Sequence, residues 1–306
     1  MLACGEDPSE AGPIVPAEST NNEAPVLGHI GRVHLVLQPQ PDVIEPEPQL
    51  QLHARFIEYR GVSEDFVRAR ANLPVPVWEQ LVLGQCVASE TLLPPSTAPI
   101  GSDEDRELSM LDAGDLRISF GEHEIVAPLA LVPDILPWLS GVEYEQVDDR
   151  IPRLPFTPDG SAPLTVSVGG EAELEGFSVS VAVPVPLALA RARVEDQSLA
   201  IEWRPPGSTS DTLVLRLQAF APSEDGVSEP TGEELTCLVA DTGRTDLALS
   251  PLAHEGLNIG AERLRVSASR FDHTKVNAGS FGDVEILVEL RAQRTLPLTA
   301  ALDPNL

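Results

Sequence analysis

Apolar and polar residues alternate along most of this chain, and prolines interrupt it at short intervals. Leu164, Val166 and Val168 share one side of an extended segment, and residues 213–217 and 284–290 repeat this period of two. Such alternation is typical of half-buried strands. The 29 prolines are spread along the chain and cut any long helix. The sequence therefore predicts an all-β protein of two antiparallel β-sandwich domains.

Two segments of the first half have the composition of central strands. They are residues 49–59 and residues 78–88. In the first, the alternation changes phase at Phe56-Ile57, where two apolar residues stand side by side. A change of phase indicates that one extra residue is inserted, so a β-bulge is expected there.

Two short segments favour helix instead. Residues 63–71 begin with Ser63, which can cap a helix, and Glu64 and Asp65 suit a first turn because they oppose the helix dipole. Residues 134–139 are a second candidate. Neither segment changes the fold class.

The charge balance excludes one class of function. The chain of 306 residues has 20 Lys and Arg against 48 Asp and Glu, so the formal net charge is −28. Such a body repels nucleic-acid phosphates and anionic membrane surfaces. No nucleic-acid partner is expected, and a membrane would be reached only through an anchor.

The first residues supply a candidate anchor. The stretch Leu2-Ala3-Cys4-Gly5 resembles the lipobox of bacterial lipoproteins. The resemblance implies cleavage before Cys4, acylation of that cysteine, and outer-membrane sorting. Residues 1–26 are acidic and Pro-rich, and are expected to form a disordered tether. The alternative is an ordinary thiol near a disordered end.

Cys86 and Cys237 remain when Cys4 is set aside. Two cysteines in an exported chain favour a disulfide, which would close a loop of about 150 residues and stabilise the fold through the unfolded state. Two separate buried thiols are the alternative, because free cysteine is often a core residue. Separate thiols would instead suit a soluble cytoplasmic β-protein.

The pattern changes near residue 184, which divides the chain into domains at 27–183 and 184–306. Pro186 opens a short strand, and the next strand carries Trp203 followed by Pro205 and Pro206. This arrangement resembles the opening of a fibronectin type III domain. The resemblance implies about seven strands, with Trp203 in the core, in a domain that serves as a spacer or binding scaffold. No family is suggested for residues 27–183.

Catalytic motifs are absent from the sequence. It has no G-x-S-x-G, no phosphate-binding loop and no paired-cysteine zinc motif. His34 and His53 lie on the polar faces of two early strands and would be close if those strands pair. Their spacing has no support as a metal motif, so no catalytic residue, metal or cofactor is expected.

These observations predict a non-enzymatic, exported bacterial protein, lipid-anchored at the outer membrane or cell surface. Its partner would be a protein or a polysaccharide of unknown identity. The alternative is an exported hydrolase or metal-dependent enzyme with a site in the first domain. A cleft that gathers His34, His53 and a carboxylate would favour that alternative.

Overall fold

A computed structural model describes residues 27–39, 48–92, 106–121, 123–136, 139–146, 163–171, 174–195, 197–206, 212–222 and 228–298. Strands dominate these residues, as the alternation predicts. The strands are β1 (Gly28–Pro39), β2 (Pro48–Arg60), β3 (Cys86–Ala88), β4 (Glu107–Met110), β5 (Leu116–Phe120), β6 (His123–Val126), β7 (Leu129–Leu136), β8 (Leu139–Gln146), β9 (Leu164–Val168), β10 (Phe177–Val181), β11 (Leu189–Glu195), β12 (Ser198–Trp203), β13 (Thr212–Pro222), β14 (Ser228–Ala240), β15 (Arg244–Ala248), β16 (Arg263–Asn277) and β17 (Asp283–Pro297).

Helices are short in the described part of the chain. They are α1 (Glu64–Arg70), α2 (Val77–Gln80) and α3 (Leu249–His254), with 3-10 turns at Ser89–Leu92 and Gly279–Phe281. The predicted start of α1 is confirmed, because the Ser63 hydroxyl accepts a hydrogen bond from the Phe66 backbone N–H.

The strands form three sheets. The largest has ten strands in the order β3-β14-β13-β16-β17-β1-β2-β4-β8-β7. The others have the orders β10-β9-β5-β6 and β11-β12-β15. Most neighbours are antiparallel, whereas β1 with β17 and β4 with β8 are parallel. The β1–β17 pair joins strands from opposite ends of the chain.

Two apolar cores lie on one face of the ten-stranded sheet, which we call the inner face. In the first core, alternate residues of β1, β2 and β17 pack against the four-stranded sheet. In the second, β13, β14 and β16 pack against the three-stranded sheet, with Trp203 of β12 buried as predicted. Each core is therefore a sandwich of two sheets.

Strand β17 takes part in both cores. Val284, Ile286 and Val288 belong to the first core, whereas Ala292 and Leu296 belong to the second. All five lie on the inner face because their positions differ by even numbers. The predicted boundary near residue 184 assigns all of β17 to the second domain, but half of the strand completes the first core.

Three local predictions are wrong. The β1–β2 register runs without a shift from Gly28–Tyr59 to Pro39–Pro48, so β2 has no bulge at Phe56-Ile57. Both side chains are buried because the sheet is covered on both faces there, Phe56 in the first core and Ile57 in a smaller cluster with α1.

The other two errors are of element type. Residues 78–88 are not a central strand, because α2 covers the start and β3 only the last three positions. The helix predicted at residues 134–139 is wrong at the described positions, since β7 extends to Leu136 and β8 begins at Leu139, and residues 137 and 138 lie outside the described ranges. Of the apolar side chains in residues 78–88, Trp78 and Leu81 pack onto the sheet as part of a covering layer, which needs no strand period, whereas Val82 and Leu83 are exposed.

Candidate functional site

A layer of chain covers the outer face of the ten-stranded sheet, the face opposite the two cores. Residues 61–92, which we call the covering segment, form this layer and then join the edge of the sheet through β3. Val67 of α1 packs on Ile57 at one side, and Trp78 of α2 packs near Leu238 at the other. These apolar contacts attach the covering segment at two places and leave a polar band of the sheet between them.

Two arginines of the sheet attach the middle of the covering segment. Arg32 Nη1 donates a hydrogen bond of 2.6 Å to the Pro74 carbonyl, and Arg55 Nη1 donates to the Ala71 carbonyl. Both carbonyls are in the irregular stretch between α1 and α2, where helix hydrogen bonds do not satisfy them. The two arginines therefore hold this stretch at a defined distance from the sheet.

A disulfide attaches the far end of the covering segment. Cys86 of β3 is bonded to Cys237 of β14, and the two residues are direct neighbours in the antiparallel ladder. Of the two arrangements left open by the sequence, the structure has the paired one. The bond joins the covering segment to a strand 151 residues away.

A cavity of about 350 Å³ lies between the covering segment and the sheet. Its apolar lining includes Trp78 and Phe271, whose ring centroids are 4.9 Å apart, and Leu287. Leu287 is the ladder neighbour of His34, so apolar and basic residues share the sheet side of the cavity. The basic residues of the lining, which we call the basic wall, are Arg32, His34, His53, Arg55 and Arg216.

The charge of this wall is opposite to that of the chain. None of the described residues that line the cavity is Asp or Glu, although acids outnumber basic residues 48 to 20 in the sequence. The carboxylates that balance the wall lie behind or beside it. A cavity with this lining presents donors and positive charge to whatever enters it.

Glu289 of β17 is the buried carboxylate behind the basic wall, and its side chain is fully buried. It accepts hydrogen bonds from Ser269 Oγ at 2.6 Å and Arg291 Nε at 2.8 Å, and its other oxygen lies 3.0 Å from His34 Nε2. Burial alone would raise the pKa of Glu289, but His34 and the neighbouring arginines outweigh it and hold the pKa well below its usual range.

Glu285, four residues earlier on the same face of β17, has a similar role. It accepts from both Nε and Nη2 of Arg32, and Arg68 Nη2 of α1 donates to its other oxygen at 3.1 Å. Burial raises the pKa of this carboxyl, but the bonds from the two arginines lower it to about 2. Glu285 therefore holds both Arg32 and helix α1 against the sheet.

Arg216 differs from the other two arginines of the wall. Arg32 and Arg55 each bond a carboxylate and a backbone carbonyl. The Arg216 guanidinium has, within the described residues, a single contact, from Nη1 to Glu289 Oε1 at 3.5 Å. Its side chain is 29% exposed. It is thus the wall arginine with N–H groups left to bond a ligand.

The two histidines lie where the sequence placed them. His34 and His53 are opposite each other in the β1–β2 ladder, and both line the cavity. Each histidine has a carboxylate beside it. His34 contacts Glu289, as described above, and His53 Nδ1 is 3.4 Å from Glu145 Oε1. Burial lowers the pKa of His53 below its usual value, against the charge of Glu145.

The described residues contain no group of three or more His, Cys, Asp or Glu side chains placed to hold a metal ion. Cys4, the predicted lipid site, and the proposed tether lie outside these residues.

Sequence reasoning missed the arginines of the wall. Arg32 and Arg55 occupy polar positions of alternating strands, which is also where solvated residues are found. Arg216 joins them because β16 and β17 connect β13 to β1 within one sheet. One signal in the sequence could have indicated this wall. Basic residues, which are few in this chain, recur at the polar-face positions of several strands.

Comparison with protein-family models, with curated proteins and with solved structures finds no match to this chain. Among the helices of the described ranges, none is long and apolar enough to span a membrane.

Proposed function

We propose that this chain is an exported, lipid-anchored bacterial surface protein that binds a ligand in the cavity under the covering segment, without converting it. The observation that carries the proposal is the cavity itself, whose basic wall stands out in an acidic protein. Concave sites with a mainly apolar lining and a few convergent polar groups are the usual form of ligand sites.

The Cys86–Cys237 bond supports export. Structural disulfides persist in oxidising compartments and are rare in the cytosol of mesophiles. Lipid anchoring is supported by the lipobox-like residues around Cys4. An anchor of more than one acyl chain would hold a body of charge −28 at a membrane that otherwise repels it.

The strand order of residues 184–306 supports a fibronectin type III-like scaffold for the second half. Strands β11, β12 and β15 form one sheet, and the other sheet has β14, β13, β16 and β17 adjacent in that order. The total of seven strands is the number that the resemblance implies. In this scheme the second half carries the disulfide partner and Arg216, so it contributes to the ligand site.

Acylation is tested by intact-mass analysis of protein made from the native gene in a bacterial host, with the region upstream of Met1 included. The expected result is a chain that begins at Cys4, carries acyl chains and fractionates with membranes. A matched Cys4→Ser variant should carry no acyl mass and leave the membrane fraction. An unmodified chain that begins at Met1 would overturn the anchored form of the proposal.

The His53–Glu145 pair favours one second candidate, a hydrolase. His53 lines the cavity with a carboxylate oxygen of Glu145 3.4 Å from its Nδ1, and an imidazole whose pKa is lowered by burial can act as a general base on water. Incubation with nitrophenyl esters and phosphates tests this. The hydrolase requires turnover that His53→Gln abolishes and that the exposed His123→Gln preserves. Absence of turnover on these substrates favours ligand binding alone.

A further inference from the structure

We propose that the ligand of this cavity is a small organic monocarboxylate with an aromatic or branched apolar body, and that Arg216 is its docking group. The inference rests on the proposed binding function and adds the chemical class of the ligand. It follows from three features of the cavity: an unbalanced positive charge, a guanidinium with a single contact within the described residues, and an aromatic and apolar part of the lining.

The charge around Glu289 is not balanced. Arg216 and Arg291 both contact this single carboxylate, which leaves one positive charge in excess even when His34 is neutral. The excess lies on Arg216, because Arg291 lies closer to Glu289 and is not among the residues that line the cavity. An anion in the cavity would remove this excess where water is partly excluded and electrostatic attraction is strong.

The guanidinium of Arg216 has the donors that a carboxylate needs. Its five N–H groups form a planar fork, and the weak contact to Glu289 occupies one of its nitrogens. A carboxylate can pair with such a fork through two parallel hydrogen bonds. Glu289 is fully buried and bonded to Ser269, so the one carboxylate that contacts Arg216 is fixed, and Arg216 itself lines the cavity.

The apolar lining selects the rest of the ligand. Trp78, Phe271 and Leu287 offer apolar surface in the same cavity that Arg216 lines. A ring or branched chain can stack there while its carboxylate bonds Arg216. The volume of about 350 Å³ is at the small end of ligand sites, which fits one small molecule.

The test is calorimetric titration of the purified protein with matched probes. Phenylacetate and 4-methylpentanoate carry the carboxylate, phenylacetamide and 4-methylpentanamide are their neutral counterparts, and inorganic phosphate lacks the apolar body. Both carboxylates should bind at least tenfold more tightly than their amides. Arg216→Gln should abolish this preference while leaving amide binding unchanged. Arg244→Gln, which removes an exposed arginine of β15, should preserve it.

Arg216→Lys keeps the positive charge but loses the planar fork of N–H groups, so we expect an intermediate preference for carboxylates over amides. This variant replaces Arg216→Gln in the test if Arg216→Gln does not fold. Equal binding of carboxylates and amides would overturn the ligand class but leave the binding function standing. A preference that survives Arg216→Gln would overturn the role of Arg216. If inorganic phosphate binds as tightly as the carboxylates, the proposed requirement for an apolar body is wrong. If no probe binds, the ligand class is wrong, and the acylation test above decides the anchored form of the proposed function separately.

Discussion

At the scale of single residues, the second core depends on a buried ion pair. The side chains of Asp241 and Arg270 are fully buried, and Arg270 Nε donates to Asp241 at 2.6 Å. Arg270 also donates to the carbonyls of Pro186 and Arg204, and Asp241 accepts from Trp203 Nε1. The pair thus joins the start of the second half to its core, with the polar groups of both side chains used.

We expect Arg270→Met to lower the free energy of unfolding by about 3–5 kcal/mol, because it leaves the Asp241 carboxylate buried without its counter-charge. Urea denaturation measures the change. Arg244→Met is the matched control, since Arg244 pairs with Asp246 in an exposed position and should leave the urea midpoint almost unchanged. Equal shifts in both variants would contradict the structural role of the buried pair.

Glu285 makes the fold sensitive to acid. Its pKa falls from an ordinary 4.5 to about 2 on folding, and its side chain is nearly fully buried. A carboxyl with a depressed folded pKa stabilises above the unfolded value and loses that effect as pH falls through the folded one. The shift corresponds to roughly 3 kcal/mol, present above pH 4.5 and lost between pH 4.5 and 2.

Glu285→Gln should therefore be less stable than the parent protein by about this amount, roughly 3 kcal/mol, at pH 7. The difference should shrink as pH is lowered from 4.5 towards 2. Urea titrations at a series of pH values measure it. Glu64→Gln removes the exposed partner of Arg68 and should give a much smaller loss. A Glu285→Gln deficit that stays constant with pH would show that the carboxylate charge is not the cause.

At the scale of elements, alternation predicted the strands whose two faces differ. Strands β9, β13 and β17 were found in this way because each has one face in a core. The method failed where both faces are covered, as at Phe56-Ile57, and where apolar residues form a covering layer, as at Trp78. In both cases the burial comes from chain far away in sequence.

The candidate site shows the same limit. The proximity of His34 and His53 was predictable because β1 and β2 are consecutive strands that form a hairpin. Arg216 was not predictable, since it is brought to the cavity through two intervening strands, β16 and β17. The parallel pairing of β1 with β17 leaves no local trace in the sequence, and the whole basic wall depends on it.

The covering segment depends on its disulfide more than on its edge strand. Strand β3 has three residues and pairs with β14 only, so few ladder bonds hold it. Replacing both partners (Cys86→Ala with Cys237→Ala) should lower the free energy of unfolding by about 3–5 kcal/mol, because the bond closes a loop of some 150 residues in the unfolded chain.

Urea denaturation with and without a thiol reductant measures the effect of the bond. The reductant should lower the stability of the parent protein to that of the double variant, and should not change the double variant itself. Equal stability of the oxidised parent and the double variant would contradict this estimate.

At the scale of the whole molecule, the two halves share strands and should unfold together. Strand β17 contributes inner-face side chains to both cores, and the ten-stranded sheet is one of the two sheets in each sandwich. Loss of either core would remove the packing from part of β17. We therefore expect one cooperative transition, in which Leu164→Ala in the first core and Leu215→Ala in the second destabilise both sandwiches.

Hydrogen exchange with mass spectrometry, over a urea series, measures peptides of β9 and β12 separately. Each variant should lower the unfolding free energy of both peptides by a similar amount, within the 2–5 kcal/mol range usual for a buried Leu-to-Ala change. Leu131→Ala is the control because this side chain is 83% exposed. If each variant lowers the unfolding free energy only of the peptide from its own core, the two sandwiches unfold separately. The cavity, which spans strands of both halves, would then be lost on partial unfolding of either one.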